Sequence, residues 1–411
     1  MRISTSQFFQ VNVAQMNDQQ SQLTQLYQQI ASGVSLSTPA DNPLGAAQAV
    51  QLSATSATLS QYTTNQNVAL TSLQAEDSAL SSVTNVLNSI QTLLVRAGDS
   101  SLSDANRSAL ATQLQGYRDQ LMTVANSTDS GGHYIFSGFQ ASAQPFANQP
   151  GGGVTYSGDS GTRNVQIADG QTVAQGDSGA AVFLSVPTPG AQPVPAAGPN
   201  NSGTATIGTV SVTDPSVGAN GDNYTITFGG TAAAPTYTVT DTSANPQTTT
   251  AAQAYTSGAP ISVGGGQTVA ISGTPASGDT FTVTPAQQAG TDIFGALDTM
   301  ISALQTPITG NAVAGAALRN AAATFSTKLA NTSANVLTVH AAVGGREQMV
   351  QTMQTVTSTN TMQTSSNLSD LTSTDMVSTI SQYTQLQNAL TGAQKAFVQL
   401  QNLSLFQYIN P

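Results

Sequence analysis

Two histidines and two triple-glycine runs are the residues of this chain whose types most often carry chemistry. His133 and His340 fall in different predicted domains, and neither belongs to a recognisable set of metal ligands or catalytic partners. The runs that begin at Gly151 and Gly264 lead into no phosphate-binding helix, which indicates turns. No nucleophile elbow or zinc-protease motif is present. The sequence therefore predicts that the chain is not an enzyme and has no metal or cofactor.

Four aspartates stand beside glycines in a way that suits weak calcium binding. They are Asp159, Asp169, Asp177 and Asp222. None belongs to the spaced acidic loop of an EF-hand or to a calcium-binding nonapeptide repeat. We therefore expect these aspartates to stabilise ordinary turns.

The composition is poor in charge. Only 7% of the 411 residues are charged, against roughly 25% in an average soluble protein. The formal net charge is −11 and the nine Lys and Arg residues form no basic run, which argues against nucleic acid or an anionic membrane as a partner. There is no Cys, and therefore no disulfide. With neither a span of about 18 apolar residues nor an apolar signal-peptide core near residue 1, we expect no membrane helix and no cleaved signal peptide.

Both ends of the chain carry a narrow apolar stripe at the seven-residue spacing of coiled-coil helices. The last residues add a cluster of large apolar side chains at a position where chains are usually polar. We expect the two terminal helices to be mobile in the monomer, to pair at the same end of a bundle and to become ordered when neighbouring subunits cover them. The predicted assembly interface consists of Phe8, Phe9, Met16, Leu23, Leu26, Ile30, Met376, Ile380, Tyr383, Leu386, Leu390, Phe397, Leu400, Leu403, Leu405, Phe406, Tyr408 and Ile409.

Two longer helical patterns lie inside these ends. A heptad series of leucines runs from Leu52 to Leu94 and is interrupted at Gln66, and a second series runs from Leu318 to Val350. Helix ends are predicted at Gly33 and Gly98 because glycine adopts the left-handed cap conformation. Helix starts are predicted at Asn42-Pro43, at Ser103 and near Asp375.

The middle of the chain has a β pattern. Residues 210–212, 224–228, 237–239, 269–271 and 280–283 alternate apolar and polar side chains between glycine-rich turns, which predicts five strands. Residues 133–136 predict a further strand before them. Whether the insertion forms one subdomain or two stays open, because residues 187–199 contain five prolines and resemble a linker.

These patterns together predict an α+β multidomain chain. A long antiparallel helical bundle or coiled-coil rod is built from both chain ends and carries an inserted all-β domain. The predicted division places residues 1–42 and 366–411 in a terminal coiled-coil assembly domain. Residues 43–146 and 290–365 form a helical rod domain, and residues 147–289 form the outward-facing β domain.

Several short motifs, in order and at both ends of the chain, resemble the flagellin superfamily. They are residues 1–5 (MRIST), 29–33 (QIASG), 39–43 (PADNP), 133–138 (HYIFSG) with Pro145-Phe146, and 403–409 (LSLFQYI). The likeness covers roughly residues 1–146 and 290–411. The chain departs from the family pattern at Val34, where Lys is usual, and at Asn42, where an acidic residue is usual.

The resemblance implies a structural adaptor of the bacterial flagellum, similar to the members that join the hook to the filament. Its implied partners are a neighbouring hook-associated protein, flagellin, further copies of itself and an export chaperone that holds the C-terminal region. It also implies type III export and an extracellular location. Two alternatives remain open at this point: a flagellin filament subunit, and a secreted adhesin whose β domain binds a ligand.

Overall fold

The computed structural model describes residues 5–36, 38–40, 42–187 and 190–409, and within these ranges the side chains from residue 7 to residue 399. The chain divides into two compact units. Residues 1–64 and 354–411 form the terminal unit, and residues 65–353 form the central unit. The terminal unit includes parts of both long helices beyond the predicted boundaries at 42 and 366. The division into three domains stays a prediction.

The predicted α+β class is confirmed, with long helices on both sides of a region of antiparallel strands. The helices are α1 (Thr5–Ser32), α2 (Pro43–Ala97), α3 (Asp104–Ala125), α4 (Gly179–Phe183), α5 (Ile293–Gln305), α6 (Ala312–Thr372) and α7 (Met376–Ile409). None of the helices in the described part of the chain is long and apolar enough to cross a membrane.

The predicted helix ends coincide with local capping contacts. Gly33 follows α1 with φ of 70° and donates its amide to the Gln29 carbonyl at 2.8 Å. Asn42 accepts the Gly45 amide at 2.9 Å in front of Pro43, the first residue of α2. Asp375 caps α7 by accepting the amides of the second and third helical residues. Short polar side chains and one glycine therefore set where these helices begin and end.

The helical pattern after residue 292 consists of two helices. Asp292 caps α5 by accepting the amides of Phe294 and Gly295 at 2.8 and 3.1 Å. Pro307 follows the end of α5, where it cannot donate a helical hydrogen bond. The second long helix, α6, then starts at Ala312 and extends over 61 residues.

The region between the long helices contains antiparallel strand pairs and short hairpins, and all five predicted strands are confirmed. The strands are β1 (Phe146–Asn148), β2 (Val154–Tyr156), β3 (Asn164–Ala168), β4 (Gln171–Ala174), β5 (Val194–Ala197), β6 (Thr206–Val212), β7 (Tyr224–Thr231), β8 (Ala234–Asp241), β9 (Thr248–Thr249), β10 (Gln253–Ala254), β11 (Pro260–Val263), β12 (Gln267–Ser272) and β13 (Thr280–Thr284).

Strands β5 to β13 enclose a core of their own, the β core. One sheet has the order β10-β8-β7-β13-β5, with β9 paired to β8, and a second sheet has the order β11-β12-β6. Their alternating apolar side chains, among them Ile226, Ile271 and Phe281, are almost completely buried together. This part of the insertion therefore has the hydrophobic core that a folding unit needs.

The first part of the insertion belongs instead to the helical core, the buried cluster shared by α2, α3, α5 and α6. Phe146 and Phe183 are fully buried and meet edge to face with ring centroids 5.5 Å apart, and both rings contact Phe294 of α5. Residues from β3, β4 and α4 join the same cluster. Residues 146–183 and 194–284 thus contribute to two different cores.

The strand predicted at residues 133–136 is wrong. These residues form turns, and Tyr134 makes only an isolated β-bridge with Thr128. The Phe136 ring is fully buried 5.4 Å from Phe183, so its apolar character serves the helical core and not a sheet. A short apolar run predicts burial but does not specify the backbone that delivers it.

Buried amide side chains on α6 bind the insertion through its backbone. Asn320 accepts the Ile207 amide at 2.8 Å and donates to the Ala205 carbonyl at 3.1 Å. Asn331 binds both the amide and the carbonyl of Gln192, each at 2.8 Å. These amides lie beside the apolar seam of α6 and satisfy backbone groups of the insertion where it packs on the helix.

Candidate assembly interface

The terminal helices α1 and α7 pack against each other as an antiparallel pair. Their half-buried and buried positions alternate by three and four residues, as in a two-stranded coiled coil. Phe9 and Phe397 meet edge to face with ring centroids 5.4 Å apart. The other predicted interface residues on this seam are Met16, Leu23, Leu26, Ile30, Tyr383, Leu386 and Leu390. The seam of each terminal helix is thus covered by the other terminal helix of the same chain.

Backbone contacts fasten the other end of this pair. Val34 and Ser373 form an antiparallel bridge. Ser35 donates its amide to the Thr372 carbonyl at 2.7 Å, and Thr374 donates to the Gly33 carbonyl at 3.0 Å. These bonds fix the relative register of α1 and α7 where the helices meet their connecting segments.

Three predicted interface residues lie outside the seam and are exposed: Phe8, Met376 and Ile380. The structure adds five exposed apolar residues on the same two helices that the seam pattern did not identify. They are Val11, Val13, Tyr27, Val377 and Val398. The sequence did contain a signal for these residues. They are apolar although they lie off the seam, and an isolated pair of helices would leave such positions in contact with water.

The remaining predicted interface residues are Leu400, Leu403, Leu405, Phe406, Tyr408 and Ile409. Helix α7 continues to Ile409, but these six side chains lie outside those that the structure describes. Their part in assembly stays a prediction, as does the ordering of the terminal helices by neighbouring subunits.

Charge is almost absent from the paired helices. Asp18 is the one charged residue in the sequence of α1, and Lys395 is the one in α7. Coiled coils often select their partners through charged residues beside the seam. Charged residues therefore contribute little to the pairing of α1 with α7.

The ionisable groups of the central unit form structural contacts. His340 lies 2.8 Å from Asp77, and His133 lies 3.5 Å from Asp129. Among the described residues, no group of three or more His, Cys, Asp or Glu side chains is arranged to hold a metal ion. Of the four aspartates considered for calcium, Asp177 pairs with Arg346 and Asp159 accepts two turn amides.

The central unit also contains an open cavity of about 320 Å³ between β5, α5 and α6. Alanine is the commonest residue in its lining, and several of its polar side chains are engaged within the protein. Asn201 binds the Thr280 backbone, and Thr324 donates to the Pro195 carbonyl at 2.7 Å. The cavity therefore offers apolar surface with few polar groups to orient a ligand.

Known proteins resemble this chain at both the sequence and the structural level. The family described as bacterial flagellin N-terminal helical region matches residues 3–141. The flagellar hook-associated protein 3 of Salmonella typhimurium is 30% identical over 407 residues, which cover 99% of each chain. The flagellar junction protein FlgL of Legionella pneumophila has a TM-score of 0.67 at 26% identity, over 79% of this chain and 100% of that one. FlgL of Xanthomonas campestris has a TM-score of 0.66 at 28% identity, over 76% and 98%.

The whole-length similarity extends through the β-rich insertion and both terminal helices. This coverage separates the chain from proteins that share only the flagellin-like N-terminal region. The chain belongs to the family of flagellar hook-associated protein 3.

Proposed function

We propose that this chain is a non-enzymatic structural adaptor that joins the flagellar hook to the filament through its terminal helices. The observation that carries this proposal is the row of exposed apolar residues on the α1–α7 pair. Phe8, Val13, Tyr27 and Ile380 flank a seam that the two helices already share. Apolar side chains at flanking positions suit helices that pack against further helices.

The proposed partners lie on both sides of the junction. We assign the exposed residues of the pair, and the apolar cluster from Leu403 to Ile409, to contacts with a neighbouring hook-associated protein, with flagellin and with other copies of this chain. The family relationship supports these partners, since a relative is named as a flagellar junction protein. An export chaperone covers the same C-terminal stretch before assembly, because a sticky helix needs protection until its neighbours are present.

We place the assembled protein outside the cell as part of the flagellum, which it reaches by the flagellar export route. The low charge of the terminal helices supports close packing among protein helices. The same helices lack the basic residues that a nucleic-acid or membrane surface requires.

Two deletions distinguish the adaptor from an adhesin. The first removes residues 403–411. The second replaces residues 195–283 by a short Gly-Ser linker, and it suits the fold because Val194 and Thr284 are paired neighbours at the ends of β5 and β13. This excision leaves the helical core complete, whereas removal of residues 147–289 would delete Phe183 from it.

We expect the tail deletion to release flagellin into the medium and to abolish filament attachment, while the excised chain still supports attachment. Immunoblots of the medium and electron microscopy of hooks measure both results. An adhesin predicts the opposite outcome. Attachment retained by the tail deletion would contradict the proposed role of the terminal helix.

A further inference from the structure

The seam between α1 and α7 is incompletely filled near its Phe9–Phe397 end. An open gap of about 210 Å³ lies between the helices. It is lined by Asn12, Gln15, Met16 and Gln19 of α1 and by Ala393, Ala396 and Phe397 of α7. Two alanines provide too little side chain to fill the space between the helix axes. A comparable cavity of about 150 Å³ in another protein accepts benzene, so this gap is large enough for an aromatic ring.

One polar group at the gap has no partner. The side-chain oxygen of Gln19 is buried and accepts no hydrogen bond from the residues that the structure describes. A buried acceptor without a donor is unfavourable, and the amide can rotate towards an incoming donor. The group that suits this gap therefore combines an apolar ring with a hydroxyl at its tip.

Tyr27 has this chemistry and is available. Its side chain is 61% exposed, whereas Tyr383 is half-buried in the seam. Tyr27 lies about eleven residues from Met16 along α1, which corresponds to roughly 16 Å. That separation prevents Tyr27 from filling the gap of its own chain.

We propose that the gap receives the Tyr27 side chain of a second copy of this chain. Its ring packs against Ala393, Ala396 and Phe397, and its hydroxyl donates to the Gln19 side-chain oxygen. The inference rests on the proposed function, because it names one contact between copies in the assembly. Tyr27 and the gap are different sites on the same helical pair, so the contact repeats in one direction from copy to copy.

The absence of natural cysteine allows a specific crosslinking test in isolated flagella. Gln28→Cys, which leaves the neighbouring Tyr27 ring in place, and Ala396→Cys are introduced together, and a short bifunctional maleimide links them where the ring enters the gap. The matched control combines Ala396→Cys with Val377→Cys, because Val377 is 82% exposed on α7. We expect a ladder of crosslinked chains from the first pair, and only monomers from the control pair and from each single variant.

Two substitutions at Tyr27 test the contact by a second route. Tyr27→Ala should lower the amount of chain retained in flagella severalfold, and Tyr27→Phe should give an intermediate loss because only the hydroxyl is removed. Circular dichroism checks that both variants keep the helical content of the wild type.

The results separate this contact from the wider function. Incorporation of the chain without a ladder, or with equal ladders from both cysteine pairs, would overturn the Tyr27 contact and leave the adaptor role intact. Wild-type retention of Tyr27→Ala would do the same. Failure of the unmodified chain to appear at the hook–filament junction would overturn both proposals.

Discussion

At the level of single residues, the carboxyl group of Glu76 is the most perturbed acid of the helical core. It is fully buried and accepts the Asp177 amide at 3.0 Å. Burial, and after it the nearby Asp177 carboxylate, raises the pKa of Glu76 to about 8, although Arg346 opposes the shift. The Glu76 side chain is therefore mostly protonated at neutral pH.

Glu76→Gln should change how stability depends on pH. The pKa of Glu76 is about 8 in the folded chain, against 4.5 for an unperturbed glutamate. The folded state therefore holds this proton at pH values where the unfolded state has already lost it. This group therefore lowers wild-type stability as pH rises from 4.5 to about 8. Glutamine keeps the acceptor for the Asp177 amide and cannot ionise, so the variant should melt higher than wild type at alkaline pH.

Thermal melts followed by circular dichroism at several pH values measure this difference. The advantage of the variant should shrink towards the acidic end of the range, where Glu76 is protonated in both states. Asp119→Asn on the exposed face of α3 is the control and should change little, since this side chain is largely in solvent. Parallel curves for wild type and Glu76→Gln would contradict the assignment.

At the level of elements, the heptad seams contain polar residues with specific partners. Gln66 interrupts the leucine series of α2, is fully buried and donates to the Ile167 carbonyl at 2.7 Å. Asn335 on α6 donates to the Ala181 and Val182 carbonyls at 2.7 and 3.0 Å. The long helices therefore pack against each other through apolar positions and hold the insertion through amides.

Asn331→Ala should destabilise the central unit by about 2 kcal/mol, because it removes two partly buried hydrogen bonds to the Gln192 amide and carbonyl. Urea unfolding followed by circular dichroism measures the loss in the free energy of unfolding. Asn367→Ala, an exposed change on the same helix, is the matched control. Equal stability of the two variants would show that the Asn331 contact contributes little.

The helices were predictable in some detail because their signals are local. Gly33, Ser103 and Asp375 act through atoms within a few residues, and the leucine spacing of α2 follows directly from helical geometry. The burial of Phe146 and Phe183 in the helical core was not predictable, since it depends on contacts with Phe294, which is more than 100 residues away in the sequence. The hydrogen-bond partners of Gln66 and Asn331 could not be predicted for the same reason, since they also lie more than 100 residues away in the sequence.

The seam between α1 and α7 was predictable to a similar degree, whereas its role as an assembly interface stays a prediction. Heptad spacing identified the seam residues, and the structure shows that α1 and α7 bury much of that seam against each other. Tyr27 and Val377 lie off the seam, so the same spacing implies that they are exposed, although the predicted interface did not include them. The spacing could not indicate the gap beside Ala393, which depends on the register of two helices from opposite ends of the chain.

At the level of the whole molecule, the two compact units differ in how deeply their helices are buried. No described residue of α1 is buried. In the described part of α7 only Thr379 and Leu390 are buried, each with 8% of its surface exposed. In contrast, the central part of α2 buries Leu73, Leu80, Val83 and Ile90 almost completely. Helices with a single narrow seam open more readily than helices within a packed core.

Hydrogen exchange on the isolated chain should therefore show fast exchange in residues 5–32 and 376–399. Slow exchange is expected in α2 from residue 65 onwards and in α6 up to residue 353. Mass spectrometry of peptic fragments measures both, and the assembled flagellum provides the comparison in which the terminal helices should become protected. Equal protection of all these helices in the isolated chain would rule out ordering by neighbouring subunits.

The backbone bridge between Val34 and Ser373 has a consequence for how such chains diversify. It joins the segment that leaves α1 directly to the segment that enters α7. These backbone contacts hold the ends of α1 and α7 together whatever the number of residues between the two segments. The central portion of the chain can therefore change in length or in fold while the backbone bonds that join these two segments are kept.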